Sequence, residues 1–286
     1  MNEARPSRTA LSAAAARTAH AIVDAPPLIF ADPLVRRLLG GLADEAVGYH
    51  RTHGEHLVLA GTRTVTAVRA RYAEERAAGF PQYVVLGAGL DTYGLRAAPG
   101  VRVFEVDAPA TQEWKKGLIR DGGIPVPDGL VFVPADFEAA AGTDTGTDGV
   151  FARLCDAGFD AARPALVSWL GVSYFLTREA IAAVLAGVGA LAAGSELVMD
   201  YALPPGLRDA GGRAYAEIAE RVVGDAGEPY RTTLAPAEVD GLLREHGLDV
   251  VANVRLADAV PPETWDRADA LHPFDFFRLA RATVTG

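Results

Sequence analysis

The rhythm of apolar and polar positions changes near residue 80. Before it, apolar residues recur at helical intervals and no strand-like run stands out. The pattern predicts a helix over 7–23, stopped before Pro26-Pro27. A second begins around Asp32-Pro33, with Asp as N-cap and proline in the first turn, and a third covers 62–78 and ends at Gly79. Beyond residue 80, short continuous apolar runs alternate with amphipathic stretches. Strands are predicted at 83–87, 101–106, 130–134, 165–170, 195–201, 248–254 and 275–284, with helices near 109–121, 148–157, 178–192, 213–223 and 236–246. Such alternation implies an α/β fold with a doubly wound, Rossmann-like sheet of seven strands. The last run follows the sixth strand without an obvious crossover helix, which predicts antiparallel pairing at the sheet edge. The chain thus divides into an N-terminal helical cap, 1–80, packed on a core, 81–286. The segment 203–233 is long enough to serve as a lid over a ligand mouth.

The most specific local signal is Tyr83-Val-Val-Leu-Gly-Ala-Gly-Leu-Asp91. Tyr83 to Leu86 read as a buried parallel strand, and Gly87, Ala88 and Gly89 form a turn where backbone can approach a ligand closely. Eighteen residues after Gly89, the second predicted strand ends in Asp107, where a nucleotide-binding α/β fold holds ribose hydroxyls. A dinucleotide fingerprint would place a third glycine at position 92 and a pyrophosphate at the helix start. This chain has Thr92 there, and Asp91 would repel that phosphate. A cofactor with ribose and adenine but no phosphate fits better, and S-adenosylmethionine is such a molecule. A lone Gly-x-Gly also occurs as a plain tight turn; the strand, glycines and two acids together carry the reading.

Composition narrows the classes further. A chain of 286 residues, 50% hydrophobic and 22% charged, can bury a full core and is not a disordered polymer. A net charge of −10 and no basic cluster argue against nucleic acid as partner. The single cysteine, Cys155, excludes an internal disulfide and reads as buried filler beside Leu154. The alanine-rich stretch 10–16 makes no targeting segment, and the longest apolar run, 180–194, is too short to span a bilayer. A cytoplasmic protein without membrane contact is expected. The polar loop 142–149 should lie outside the site. His50, His53 and His56 spread around a helix that Gly54 interrupts, so no metal is expected.

Several motifs together resemble a known family. They are Ser7-Arg-Thr-Ala with Arg17-Thr-Ala-His20, Ile29-Phe-Ala-Asp-Pro-Leu34, Gly61-Thr-Arg-Thr64 and the glycine turn through Thr92. After them come Val103-Phe-Glu-Val-Asp-Ala-Pro109 with Lys115-Lys116, Trp169-Leu-Gly-Val-Ser-Tyr-Phe-Leu-Thr177, Pro229-Tyr-Arg-Thr232 and Leu242-Leu-Arg-Glu-His-Gly-Leu248. In this order, over nearly the whole chain, they resemble the leucine carboxyl methyltransferase-like group of class I S-adenosylmethionine-dependent methyltransferases, common in actinobacteria. The resemblance implies Arg63 as partner of the cofactor's methionine carboxylate. It likewise implies Gly87, Ala88 and Gly89 as backbone contacts, Asp107 on the ribose, and Asp136-Phe137 as an adenine clamp. Two positions depart from it. Tyr93 stands where many relatives carry Arg, and Leu170, placed in the cofactor shell, where they often carry Glu.

These residues lead to the expectation of an O-methyltransferase acting on a small-molecule carboxylate or hydroxyl in bacterial secondary metabolism, as monomer or homodimer. A carboxylate acceptor needs no base, whereas a hydroxyl does, and His20 is the candidate. Tyr93, Trp169, Ser173, Tyr174 and Tyr201 fall at predicted strand ends, where an acceptor would lie. Two alternatives stay open. One is a protein that binds S-adenosylmethionine without methylating, for example to assist a cyclisation. The other is a nicotinamide-dependent reductase, which Asp91 and Thr92 count against.

Overall fold

A computed structural model describes residues 6–138 and 149–285. Apart from Gly149, the polar loop expected at 142–149 lies outside the described residues. Four helices lead the chain: α1 (Arg8–Val23), α2 (Val35–Leu39), α3 (Leu42–His53) and α4 (Leu57–Ala77). Ser7 caps α1 by accepting from the Ala10 amide at 3.1 Å, which satisfies one of the amides a helix start leaves free. Asp32 does the same three residues ahead of the first residue of α2, its Oδ1 accepting from the Leu34 and Val35 amides. The sequence reading gave no bounds for the helix that Gly54 interrupts and started the next one at residue 62 instead of Leu57. Gly54 closes α3 and the chain re-enters a helix after His56, so one long polar pattern hid two helices.

The core follows as β1 (Gln82–Leu86), α5 (Tyr93–Arg96), β2 (Arg102–Asp107), α6 (Pro109–Asp121), β3 (Leu130–Pro134), α7 (Val150–Asp156), β4 (Leu166–Trp169) and α8 (Arg178–Gly189). Then come β5 (Glu196–Ala202), α9 (Ala210–Asp225), α10 (Pro236–Glu245), β6 (Leu248–Arg255) and β7 (Phe277–Val284). The seven strands form one sheet in the order β3-β2-β1-β4-β5-β7-β6. The first five are parallel, and β7 runs antiparallel to both β5 and β6. The expected antiparallel pairing at the sheet edge is present: β7 pairs with the edge strand β6 and itself lies one strand in. Burial explains the order. β7 buries Phe277, Leu279, Ala280, Ala282 and Val284, whereas β6 leaves Asp249, Val251 and Arg255 exposed. A strand with apolar groups on both faces belongs where both faces are covered.

Alternation along β1 sends Tyr83 and Val85 into the apolar cluster shared with α1, α2, α4 and α9. Val84 and Leu86 face the cluster shared with α7, α8 and α10. The sheet is thus covered on both sides, and strand order reverses between β1 and β4. At such a switch point the strand C-termini diverge and leave a crevice for a ligand. Cys155 corrects another expectation: it is exposed on α7, while its neighbour Leu154 is buried. Among the described residues no helix is long and apolar enough to cross a membrane.

Candidate active site

The turn after β1 is built from strand hydrogen bonds carried past the strand end. The Gly87 and Ala88 amides both donate to the Val106 carbonyl, at 2.8 and 3.0 Å. Gly87 and Gly89 have φ of 70° and 48°, which favours glycine. Space requires them too. A Cβ on Gly87 would meet Val172 Cγ2 at 2.1 Å, and one on Gly89 would lie 3.1 Å from Ala10 Cβ. The first turns of α1 therefore roof the glycine turn.

Asp107, at the end of β2, accepts from the Gly89 amide through Oδ2 at 2.5 Å and from the Ala108 amide through Oδ1 at 2.7 Å. Burial pushes its pKa up to about 6, against the pull of those two amides. Each oxygen keeps a lone pair for a further donor. Asp91 turns back onto its own loop, where Oδ1 accepts from the Tyr93 amide. Thr92 is buried and donates to Asp32 Oδ1 at 2.7 Å. Asp32 also takes Arg17 Nε, and Arg17 reaches the Leu90 carbonyl. Burial opposes ionisation of Asp32, but Arg17, Thr92 and Arg96 outweigh it and hold its pKa below the usual carboxylate value. Asp32 thus ties α1, the start of α2 and the glycine turn together, a role sequence reading did not find.

Above the strand ends lies a cavity of about 740 Å³. Of the residues singled out in the sequence, Gly87, Ala88, Gly89, Asp107, Phe137, Leu170 and Tyr174 line it. Helix α4 contributes Thr62, Val65, Thr66, Arg69 and Ala73, spaced as one helical face. Arg63 is one residue, about 100°, away from Thr62 and points elsewhere. Its side chain is 1% exposed, forks onto Asp24 through Nε and Nη2 at 2.8 and 3.0 Å, and also bonds His50 Nδ1 and the Gly54 carbonyl. Arg63, expected to meet the cofactor's carboxylate, is not among the residues lining this cavity and is bonded to Asp24. The guanidinium presented there from the same helix is Arg69, whose Nη1 donates to Tyr174 Oη at 3.2 Å and to Asp200 Oδ2 at 3.1 Å.

His20, the candidate base, also lies away from this cavity. It is 1% exposed, its Nε2 accepts from the Ile29 amide, and its Nδ1 bonds Asp24 Oδ2 at 2.8 Å. Both ring nitrogens are thus partnered, and the ring is not among the residues lining the cavity. Trp169 and Tyr201 are buried in the cluster on the opposite face, Tyr201 Oη bonding Asn253. Ser173 donates to the Asp200 carbonyl. Tyr93 packs edge-on against Tyr83. Asp136 caps its own turn through the Glu138 amide. None of these five lines the cavity. The sequence missed an aromatic group that does: Phe175, Tyr215, Tyr230 and Phe277, gathered around Tyr174. Only Phe274-Asp-Phe-Phe277 hinted at it, a dense aromatic run at the start of the last strand.

The described residues suit a phosphate-free nucleoside cofactor. Asp107 offers free lone pairs, the Gly87–Gly89 turn lines the cavity, and Phe137 supplies an apolar wall. The sequence profile of the leucine carboxyl methyltransferase family matches residues 10–189. YktD of Bacillus subtilis (strain 168), provisionally named an S-adenosyl-L-methionine-dependent methyltransferase, is 33% identical over 223 residues, covering 75% of this chain and 70% of that protein. Rv3399 of Mycobacterium tuberculosis (strain ATCC 25618 / H37Rv), with the same provisional name, is 32% identical over 213 residues; the match covers 66% of this chain and only 56% of that protein. Among solved structures, a DUF574 family protein from Streptomyces avermitilis MA-4680 has a TM-score of 0.59 at 20% identity, covering 94% of this chain and 96% of that one, a likeness of fold. The cofactor is S-adenosylmethionine. Profile and relatives agree with the glycine turn and its acids: the chain belongs to the leucine carboxyl methyltransferase family of S-adenosylmethionine-dependent methyltransferases.

Proposed function

We propose that this methyltransferase acts on an oxygen of a small molecule, a carboxylate or hydroxyl of a bacterial secondary metabolite, with the carboxylate favoured. The observation that carries the reading is the unspent edge of Arg69. Nη1 is committed to Tyr174 and Asp200, while Nε and Nη2 have no partner among the described residues, and the side chain lines the aromatic part of the cavity. A guanidinium with donors to spare favours an anion.

In this reading Asp107 accepts from the ribose hydroxyls, and the Gly87–Gly89 backbone lies against the cofactor. Phe137 packs on the adenine, with Asp136 beside it, and Leu170 borders the transfer position. When bound, S-adenosylmethionine supplies a methyl group on a sulfonium, whose sulfur keeps the electron pair of the broken bond. An acceptor carboxylate forms the new O–C bond with its own lone pair and has no proton to lose. The protein's task is then alignment and exclusion of water, to which the roof of α1 over Gly89 and the cover of α9 both contribute. A hydroxyl acceptor would need a base within hydrogen-bond reach. The histidine lining the cavity, His50, does not provide one. Its Nδ1 accepts from Arg63, an obligate donor, so the neutral ring carries its proton on the other nitrogen; burial and Arg63 push its pKa down to about 4.

Incubation with methyl-labelled cofactor and a panel of carboxylic acids and phenols tests this. Label in a base-labile ester is the expected product. Label only on nitrogen or carbon, or no transfer across the panel, refutes it.

A further inference from the structure

Large apolar side chains are exposed at eight described positions, and three of them, Leu42, Tyr49 and Val222, line this one cavity. They are 36%, 66% and 53% exposed, so they stand where the cavity meets solvent. Leu42 and Tyr49 are seven residues apart on one face of α3, and Val222 faces the cavity from α9. Scattered surface apolar residues need no explanation, whereas a group around an opening does.

Inward from that opening the apolar lining continues. On α9, Tyr215, Ala219, Val222 and Val223 all line the cavity, at spacings of one helical face. From Tyr215 to Val222 this stripe runs about 10 Å along the helix. Tyr215 joins the aromatic group around Tyr174, whose hydroxyl Arg69 holds. The path therefore leads from the spare guanidinium donors of the Arg69–Asp200 ion pair at the strand ends, past aromatic rings, along an aliphatic stripe, to an apolar rim.

We propose that the methyl acceptor carries an extended alkyl chain. Its reacting oxygen lies at the Arg69 end, and the chain follows the α9 stripe and leaves between Leu42, Tyr49 and Val222. The proposal rests on the reading of the acceptor as an oxygen nucleophile held in this cavity. Charge favours a single molecule over a larger surface. Glu45 and Asp225 also line the cavity and are exposed, and the chain carries −10 overall, which opposes an anionic bilayer or a second copy of the same acidic protein.

The test is calorimetric titration of the protein, saturated with S-adenosylhomocysteine, by n-alkanoates from butanoate to dodecanoate, with labelled-methyl transfer measured on the same series. Affinity is expected to rise about fourfold per methylene, from about 0.8 kcal/mol for each one buried. In the Tyr49→Asp/Val222→Asp double variant the dodecanoate-to-butanoate affinity ratio should fall at least tenfold, while S-adenosylhomocysteine affinity stays within twofold of the parent as the check on folding. Affinity that is flat along the series, or a ratio the double variant leaves intact, overturns the proposal. Length-dependent binding without label transfer supports the chain path and refutes carboxylate methylation. Transfer to carboxylates with no dependence on length does the reverse. A parent dimer that Tyr49→Asp dissociates, with no alkanoate bound, would assign the rim to a second copy and also overturn the proposal.

Discussion

Replacing Asp107 by Asn separates what this residue does for the cofactor from what it costs the fold. Burial raises its pKa from the ordinary 3.8 to about 6, so at pH 8 the folded protein holds a charge that the unfolded chain would hold more easily. At about 1.36 kcal/mol per pKa unit, that difference amounts to about 3 kcal/mol of destabilisation. The sign follows from linkage. A carboxyl with a raised folded pKa contributes its full stability below pH 3.8 and loses it as pH rises through about 6. The amide of the Asp107→Asn variant cannot titrate, so the stability of parent relative to variant should decline by about 3 kcal/mol between pH 3.5 and pH 8. Part of the variant's gain is offset, because its amide NH₂ would face one of the two backbone donors, Gly89 or Ala108. Binding should move the opposite way. Loss of hydrogen bonds to a charged acceptor costs about 1.5–3 kcal/mol, so S-adenosylhomocysteine should bind the variant roughly 10- to 150-fold more weakly at pH 8. In the parent, affinity should fall as the carboxylate protonates below pH 6. Chemical denaturation of the cofactor-free proteins across pH, paired with calorimetry of binding, measures both. Parallel stability curves for parent and variant, or equal affinity at pH 8, would refute the reasoning.

Three further outcomes follow from single contacts. Gly87→Ala puts a methyl group 2.1 Å from Val172 Cγ2 at a φ of +70° and should cost about 1–3 kcal/mol, seen as a lowered melting temperature; an unchanged one rejects the clash. Arg63→Met leaves the buried Asp24 carboxylate with His20 as its remaining side-chain hydrogen-bond partner and should cost about 3–5 kcal/mol, with cofactor affinity of the folded protein nearly intact. A large affinity loss at unchanged stability would instead return Arg63 to the cofactor. Lys115→Met removes the ion-pair partner of buried Glu105, whose pKa burial already pushes up to about 7. The variant should melt lower at pH 9 than at pH 5, since stability is lost as pH rises through the raised folded value; a melting temperature independent of pH would count against this.

Sequence alone determined the elements whose causes are local. Continuous apolar runs ending at turns gave the seven strands and most helices after residue 80. Gly87, Gly89 and Asp107 were legible because a left-handed turn and a strand-end acid each demand one residue type at a fixed spacing. Boundaries in the N-terminal helices were less legible, since α3 and α4 meet at Gly54 with polar residues on both sides. Tertiary structure decided the rest. Which of the last two strands closed the sheet edge depended on which had both faces covered, a matter of packing partners far away in sequence. Which arginine of α4 faces the cavity depended on the rotation of that helix about its axis, fixed by its packing against the sheet and α9. Six residues, a net rotation of about 240° around the helix, separate the two arginines, which turns Arg63 toward Asp24 while Arg69 meets the cavity. The aromatic wall drew Tyr174, Tyr215, Tyr230 and Phe277 from four separate segments, and no local pattern marks residues that meet only when the chain folds.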